Sequence, residues 1–375
     1  MQFILVLWSI SILRRLGCSR NENIMETKVI KIDRTHPDTE QIKEAGRILR
    51  EGGLVAFPTE TVYGLGGDGL QETAAARIYA AKGRPSDNPL ILHIAEVEDI
   101  EKLAVDIPEL AYRLAEKFWP GPMTMILKKG PVVPYATTGG LDTVAIRMPS
   151  DEIARAIIKA SGTYIAAPSA NLSGRPSPTK AEHVIEDLSG RIEMIVDGGN
   201  SDIGLESSII DLSGEVPMIL RPGYITKEDF EQVVEEVTFD SAVLATKPQE
   251  SVVAKAPGMK YRHYAPKGQI TIVEGDTEAV VKKINELAAE QEENGIRVAV
   301  LCAEETKARY NCRHVYSLGS LKQEKEISAH LFAALRSFDT EQMEVIYSES
   351  FENTKLARAI MNRLRKAAGY QTLQV

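Results

Sequence analysis

The chain has 375 residues, and at roughly 100–200 residues per domain this length indicates two domains. Hydrophobic residues make up 43% and charged residues 26%, a balance typical of a globular protein and unlike that of a disordered chain. The formal net charge of −9 argues against a broad non-specific coat on nucleic acid, because such binding depends on neutralising phosphates. A local cationic pocket for a small phosphorylated ligand is compatible with this charge.

The N-terminal segment 1–24 is not expected to belong to the fold. Met1 to Leu13 are strongly apolar, but this run is shorter than the about 20 residues that a membrane span needs. Arg14 and Arg15 follow the run, whereas the positive charge of a signal peptide precedes it. We expect a non-native or disordered extension, for example from a misplaced start codon, and a membrane anchor is the alternative.

The cysteine pattern bears on the compartment. Cys18, Cys302 and Cys312 form no C-x-x-C pair and cannot all pair with one another. Free thiols are typical of a reducing environment. We therefore expect a cytoplasmic protein that does not associate with membranes.

Residues 25–238 alternate short apolar runs with amphipathic segments, which predicts an α/β domain with a mixed sheet. A helix is expected over Thr39–Arg50, ended by Gly52 and Gly53, and another over Glu72–Ala81. The apolar face of the first helix comprises Ile42, Ala45, Ile48 and Leu49. The expected strands are Thr27–Ile32, Leu54–Phe57, Leu90–Ile94, Met123–Leu127, Thr143–Met148, Tyr164–Ala167, Ser208–Leu212 and Met218–Leu220.

Residues 239–268 are predicted to be a linker, because prolines and Gly258 interrupt the pattern and apolar runs are few. The segment nevertheless contains Tyr261-Arg262-His263-Tyr264. A plain spacer seldom needs such a cluster of rings and cations, so we expect it to contact another part of the protein or a ligand.

Residues 269–375 are predicted to form a smaller α/β domain with a parallel sheet, since strands and helices alternate. The turn at Glu274–Thr277 lacks a glycine-rich phosphate loop, so no nucleotide is assigned to this domain. The expected strands are Gln269–Val273, Arg297–Cys302, His314–Leu318 and Glu344–Tyr347, and the expected helices are Glu278–Gln291, Lys322–Ser337 and Asn353–Ala368.

Cations occur beside apolar strands in the first domain. Lys82 and Arg84 flank a glycine between a helix and a strand, where they could bind phosphate or form a solvated basic loop. Arg147 lies inside an apolar strand and must find an anionic partner or reach solvent, so it forms either a structural salt bridge or a ligand contact. Arg221 ends another strand, with the same alternatives. Together these residues suggest a recessed pocket for an anion.

Hydroxyl-rich turns also follow strands. Pro58 to Leu65, read P-T-E-T-V-Y-G-L, is either a small-ligand site or a glycine turn with incidental hydroxyls. Ser169 and Asn171 lie on one side of an extended segment, and no G-x-S-x-G elbow is present, so Ser169 is better suited to bind a ligand than to act as a nucleophile. Glu206-Ser207 is a further ligand-binding candidate or a surface turn.

Taken together, these motifs resemble the YrdC/YwlC family of threonylcarbamoyl-AMP synthases in its long, two-domain form. The sequence contains, in family order, P-T-E-T-V-Y-G-L, K-G-R-P-x-x-N-P-L, P-G-P-x-T and P-S-A-N-x-S-G. The linker resembles that of the long form as well. One departure is Ser207-Ser208-Ile209-Ile210-Asp211, where the family often has S-T-I-V-D.

The resemblance implies a fold, namely a YrdC-like α/β domain with a twisted mixed sheet and a concave basic pocket, then a smaller Rossmann-like α/β domain. It implies catalytic roles for Lys82, Arg84, Ser169 and Asn171. It implies that L-threonine is surrounded by Thr61, His93, Arg147, Ala167 and Ser207. It implies that ATP is contacted by Arg84, Asn88, Thr143, Ser169, Ser177, Arg221 and Tyr264.

The implied reaction joins L-threonine, bicarbonate and ATP into L-threonylcarbamoyladenylate and diphosphate, for tRNA modification beside the anticodon. Mg²⁺ would accompany ATP without protein ligands, and tRNA-modifying transferases, with tRNA itself as a further candidate, would be partners. Tyr264 and its neighbours are a candidate lid. The alternatives are a non-catalytic module that binds structured RNA, and a carbamoyl transferase of hydrogenase maturation, whose zinc-finger C-x-x-C pairs this chain lacks.

Overall fold

The structure, a computed structural model, describes residues 25–86, 88–244, 255–257, 264–352 and 355–375. The expectations for residues 1–24 and for Tyr261, Arg262 and His263 fall outside these ranges. Within them, no helix combines the length and the apolar character that crossing a membrane would require.

The first sheet is mixed and runs through residues 28–239. Its strand order is β1-β9-β2-β3-β8-β4-β7-β6-β10-β11-β12, with β5 paired to β6. The strands are β1 (Lys28–Lys31), β2 (Val55–Phe57), β3 (Gly64–Asp68), β4 (Ile91–His93), β5 (Ala104–Val105), β6 (Met123–Lys129), β7 (Thr143–Arg147), β8 (Ile165–Ala166), β9 (Met194–Asp197), β10 (Ser208–Asp211), β11 (Met218–Arg221) and β12 (Thr238–Phe239).

Helices connect these strands. They are α1 (Thr39–Arg50), α2 (Glu72–Lys82), α3 (Ile100–Leu103), α4 (Glu109–Phe118), α5 (Tyr135–Thr138), α6 (Glu152–Ser161), α7 (Ala181–Leu188), α8 (Lys227–Phe230) and α9 (Ser241–Leu244).

Helix α1 forms where the sequence predicts it. The Asp38 side chain caps its first turn by accepting from the backbone N–H groups of Glu40 and Gln41. The predicted apolar face is confirmed, with Ile48 less buried than its neighbours Ile42, Ala45 and Leu49.

Strand β3 was not predicted, because three of its five residues are glycine and the segment resembles a turn. The glycines serve close packing instead. A Cβ at Gly66 would lie 2.6 Å from Phe57 Cε1 and 2.8 Å from Ile165 Cγ2. Strand β9 was also missed, although it pairs with both β1 and β2. The predicted mixed α/β fold is nevertheless confirmed.

The second sheet has five strands, all paired in parallel, as the alternation of strands and helices predicts. The strand order is β15-β14-β16-β13-β17. The strands are β13 (Gln269–Glu274), β14 (Val298–Cys302), β15 (His314–Ser317), β16 (Val345–Glu349) and the unpredicted β17 (Thr372–Gln374), and the helices are α10 (Thr277–Glu293), α11 (Glu324–Thr340) and α12 (Ala357–Ala367).

The core of the second sheet extends toward the first. Val62 and Leu205 from the first sheet's loops, and Tyr264 from the linker, belong to the same buried cluster as Phe332 on α11. Helices α11 and α12 therefore pack against loops that follow strands of the first sheet.

Candidate active site

The register of the first sheet puts several polar side chains in one row. His93 on β4 pairs with Arg147 on β7, and Arg147 pairs with Thr124 on β6. Thr124 pairs with Ile209 on β10, which pairs with Arg221 on β11. Because paired residues of neighbouring strands share a face, the two arginines are directed to the same side of the sheet.

A cavity opens over this row. Loops after β2, α2 and β8 close its other sides. Among the described residues, those that line it include Thr59, Thr61, Tyr63, Lys82, Arg84, His93, Arg147, Ala167, Ser169, Asn171, Glu206, Ser207, Arg221, Pro257 and Tyr264. Four of these are cations and one is a carboxylate, so the cavity is suited to an anion.

Lys82 fastens two walls of the cavity to each other. It ends helix α2, where Gly83 turns the chain in the left-handed region at φ 61°. Its buried ammonium donates to the carbonyl oxygens of Ser169 and Asn171, the latter at 2.6 Å. Burial first, and then the nearby charge of Arg84, lower the pKa of Lys82 well below its ordinary value. Lys82 thus holds the segment 169–171 beside Arg84.

Ser169 and Asn171 are joined directly. The Ser169 hydroxyl donates to Asn171 Oδ1 at 2.5 Å, and Asn171 Nδ2 donates to the carbonyl oxygen of Arg175 at 2.9 Å. An amide oxygen cannot serve as the base that a nucleophilic serine needs. The arrangement therefore agrees with a ligand-binding role for Ser169.

Arg147 has a protein partner within the cavity region. Its Nη2 lies 2.7 Å from Oε1 of Glu60, and Nε donates to the carbonyl oxygen of Gly121 at 3.4 Å. His93 lies beside it on β4, where burial and then the charge of Arg147 lower the histidine pKa to about 3. His93 is consequently neutral at physiological pH.

Arg221 and Ser207 lie farther along the same row, beyond Thr124. Arg221 Nη2 donates to Ser207 Oγ at 3.0 Å, and Nε donates to the Ser207 carbonyl oxygen at 2.9 Å. Ser207 Oγ also lies 2.7 Å from Thr124 Oγ1. Burial lowers the Arg221 pKa to about 10, which leaves the guanidinium charged.

Glu206 lies next to Arg221 and is buried. Its Oε1 accepts from Ser177 Oγ at 2.5 Å and its Oε2 accepts from Arg363 Nε at 3.0 Å. Burial alone would raise the Glu206 pKa, but Arg363 and Arg221 lower it below the ordinary value. The Tyr264 ring lies at the same end and stacks on Phe332 with centroids 5.0 Å apart.

Most residues singled out by the sequence line the cavity. Three of them, Asn88, Thr143 and Ser177, are not among the described lining residues. Ser177 contacts the cavity through Glu206. Asn88 is buried, and its side-chain amide has no hydrogen-bond partner in the described part of the chain. Thr143 starts β7, opposite Lys128, about 13 Å along the strand from Arg147 at ~3.3 Å per residue.

Sequence reasoning assigned no role to Glu60, Thr124 or Arg363. Glu60 and Thr124 stand inside the quoted motifs P-T-E-T-V-Y-G-L and P-G-P-x-T, and membership of those motifs was the available signal. Arg363 had no such signal, because it follows Glu206 by 157 residues.

Known proteins resemble this chain in sequence and in structure. Residues 47–223 match a family model described as Telomere recombination, and residues 225–369 match one described as Threonylcarbamoyl-AMP synthase, C-terminal domain. The threonylcarbamoyl-AMP synthase of Pyrococcus abyssi is 51% identical over 89% of this chain and 96% of its own length. That of Bacillus subtilis is 48% identical over 89% of this chain and 94% of its own.

A solved structure is similar over almost the whole chain. The crystal structure of P. abyssi Sua5 complexed with L-threonine has a TM-score of 0.88 and 49% identity, covering 93% of this chain and 100% of that one. The resemblance predicted from the motifs is thereby confirmed. The chain belongs to the threonylcarbamoyl-AMP synthase family and is an enzyme of the AMP-transfer type.

Proposed function

We propose that the cavity is where L-threonine, bicarbonate and ATP become L-threonylcarbamoyladenylate and diphosphate. The observation that carries this proposal is the convergence of Lys82, Arg84, Arg147 and Arg221 on one cavity in a chain of net charge −9. A triphosphate and an amino-acid carboxylate both need cationic partners, and the cavity offers enough of them for both.

The threonine end is assigned to the side where β4 and β7 pair. Arg147 would face the carboxylate of the substrate. His93 is neutral, so it would add no further positive charge near the threonine amine. The residues proposed around threonine are Thr61, His93, Arg147, Ala167 and Ser207.

The nucleotide end is assigned to the side of Arg84 and Arg221. Asn88 is compatible with this assignment, because within the described ranges its buried amide has no hydrogen-bond partner and it follows the basic loop by four residues from Arg84. The residues proposed for ATP are Arg84, Asn88, Thr143, Ser169, Ser177, Arg221 and Tyr264, of which Arg84, Ser169, Arg221 and Tyr264 line the cavity.

The reaction proceeds in two steps. The threonine amine attacks CO₂ derived from bicarbonate and loses a proton, which gives a carbamate. A carbamate oxygen then attacks the α-phosphorus of ATP, and the bond to the β,γ-diphosphate breaks. Catalysis of this kind depends on positioning and on offsetting negative charge, and Arg84 and buried Arg221 supply positive charge in the cavity.

Mg²⁺ is proposed to arrive with ATP. No cluster of three or more His, Cys, Asp or Glu side chains suited to a metal occurs in the described ranges, and the cavity's Glu206 already pairs with Arg363. These residues do not form a protein cage, so the phosphates and water would hold the ion. No step above is assigned to it.

The product is proposed to pass to transferases that modify tRNA, in the cytoplasm. The reducing character suggested by free, buried Cys302 and Cys312 supports that compartment. Direct contact with tRNA stays a further proposal.

Diphosphate release tests the proposed function. The purified protein is incubated with ATP, L-threonine and bicarbonate, and each substrate is omitted in turn. We expect release only with the complete set, and release that ignores threonine would refute the proposal. Tight, salt-dependent binding of structured RNA without threonine-dependent turnover would favour the RNA-binding alternative. Similarity to synthases over 89% of the chain already disfavours a hydrogenase-maturation carbamoyl transferase.

A further inference from the structure

Glu206 is the single carboxylate among the described residues that line the cavity. Its position is unexpected, because an uncompensated carboxylate in the wall would repel the phosphates of a nucleotide. Side-chain exposure of Glu206 is only 8%, so water can screen little of its charge. Something other than solvent must therefore neutralise it.

Arg363 supplies that neutralisation. Its Nε donates to Glu206 Oε2 at 3.0 Å, and its Nη2 donates to the Glu206 carbonyl oxygen at 3.3 Å. Its Nη1 donates to the carbonyl oxygen of Pro222, which directly follows Arg221. The Arg363 side chain is completely buried, so these contacts are held in one geometry.

Arg363 lies on helix α12, which packs with the second sheet. Helix α11 contacts the same segment of the first domain, residues 203–207. Ser328 Oγ donates to the carbonyl oxygen of Ile203 at 2.8 Å. Gly204 approaches so closely that a Cβ there would lie 2.4 Å from Ala329 Cα. The C-terminal helices α11 and α12 thus contact residues 203–207 directly and hold this segment in place.

We propose that Arg363 is a positioning residue of the active site, which neutralises Glu206 and thereby keeps the nucleotide end of the cavity cationic. The proposal rests on the proposed function above. Glu206 connects Arg363 to the proposed ATP residues, since its carboxylate accepts from the Ser177 hydroxyl and lies beside Arg221. The C-terminal α/β unit accordingly supports the cavity from behind its lining, because Arg363 contacts Glu206 and Pro222 without itself facing the cavity.

The sharpest test removes the cation and then the anion. Arg363→Met leaves Glu206 as a buried carboxylate without its main partner, so we expect the KM for ATP to rise about 30-fold. The KM for L-threonine should change less than threefold, because the threonine carboxylate is assigned to Arg147, whose own partner is Glu60 and not Glu206. Adding Glu206→Gln to Arg363→Met should bring the KM for ATP back to within about threefold of wild type.

The pH profile gives a readout that a purely structural role would not move. Loss of Arg363 raises the Glu206 pKa toward protonation, so the ATP defect of Arg363→Met should shrink as pH falls from 8 to 6. The other groups that act on Glu206 in the folded chain are Arg221, Lys82, Tyr264 and Lys366. The double variant keeps all of these and should show no such pH-dependent recovery.

Two controls separate this effect from general weakening of the interface. Lys355 forms an exposed ion pair across it, with Nζ 2.8 Å from Asp229 Oδ1, so Lys355→Ala should leave both KM values unchanged. Arg336 forms a buried pair across it, with Nη2 2.7 Å from Asp187 Oδ2. Any defect of Arg336→Met should not be relieved by Glu206→Gln.

The outcomes are distinguishable. An inactive wild-type protein sinks the proposed function. An active wild type with an unchanged ATP KM in Arg363→Met overturns the positioning role, and so does a defect that Glu206→Gln leaves untouched. If Arg363→Met alone fails to fold, the double variant and Arg363→Lys carry the test, and both must keep the KM for ATP within about threefold of wild type.

Discussion

Arg147 Nη2 lies 2.7 Å from Glu60 Oε1, and both side chains are at least nine-tenths buried. An arginine in an apolar strand needs an anion, and here the protein supplies one that belongs to the loop after β2. The sequence left two hypotheses for Arg147, a structural ion pair and a ligand contact, and these are thus compatible. Glu60 holds the guanidinium in the cavity wall, where a substrate carboxylate can meet it.

Arg147→Met should raise the KM for L-threonine by at least 30-fold, since a lost charge-assisted contact of this kind costs about 2 kcal/mol or more. The KM for ATP should rise much less. Steady-state kinetics of diphosphate release measures both. Arg34→Met is the matched control, because Arg34 pairs with Asp151 away from the cavity lining. An unaltered threonine KM in Arg147→Met would exclude the proposed contact.

His93 should make the protein less stable in mild acid. Its folded pKa of about 3 lies below an unfolded value near 6.5, so between these values only the unfolded chain binds the proton. The contribution of neutral His93 to the free energy of unfolding is fully present above pH 6.5 and is lost as the pH falls. At ~1.4 kcal/mol per pH unit, the loss is about 2 kcal/mol at pH 5.

Urea unfolding at pH 7 and pH 5 measures this loss. His93→Gln should lose about 2 kcal/mol less than wild type between the two pH values. The exposed His36 provides the control, and His36→Gln should behave as wild type. An equal loss in His93→Gln and wild type would show that His93 takes up its proton in the folded state.

Tyr264 is proposed to cover the nucleotide end. Its buried ring stacks on Phe332, and its backbone φ is +65°, in the left-handed region that few residues of this size adopt. Tyr264→Ala should lower kcat about tenfold and shorten the lifetime of the labile product by admitting water. Rapid-quench analysis of the product measures both.

Tyr264→Phe and Tyr224→Ala complete that experiment. Tyr264→Phe retains the ring and should keep the product lifetime near wild type. Tyr224 belongs to the same apolar cluster but does not line the cavity, so Tyr224→Ala should leave the lifetime unchanged. A Tyr264→Ala variant with normal turnover and normal product lifetime would end the lid proposal.

Gly204 should not tolerate a side chain, because of its close approach to helix α11 as well as its positive φ. Gly204 and Gly199 both have positive φ, +75° and +83°, but only Gly204 has backbone atoms of α11 where a Cβ would go. Gly204→Ala should therefore reduce the free energy of unfolding by about 2 kcal/mol more than Gly199→Ala. Denaturant titration of the two variants measures the difference. Equal losses would mean that α11 does not press on this loop.

The parts of the fold predicted from sequence are those with local signals. Helix α1 carries its own cap at Asp38 and its stop at Gly52, and its periodicity is read within twelve residues. Strand β3 lacks such a signal, because Gly66 is required by Phe57 and Ile165, which are distant or on another strand. Sheet order likewise depends on long-range pairings such as β1 with β9.

The site divides in the same way. Lys82, Arg147 and Ser169 stand next to strands or helix ends, so their convergence follows from where those elements end. Arg363 lies inside an ordinary amphipathic helix, and its partner Glu206 is far away in the chain. Only the packing of the second sheet on the first reveals that they meet.

The most direct measurement is threonine-dependent diphosphate release by Lys82→Ala and Arg84→Ala beside wild type. If the cations of one cavity hold the nucleotide next to the amino acid, kcat/KM for ATP should fall at least 100-fold in each, about 2.7 kcal/mol of transition-state stabilisation. Rates within threefold of wild type in both variants would contradict that claim.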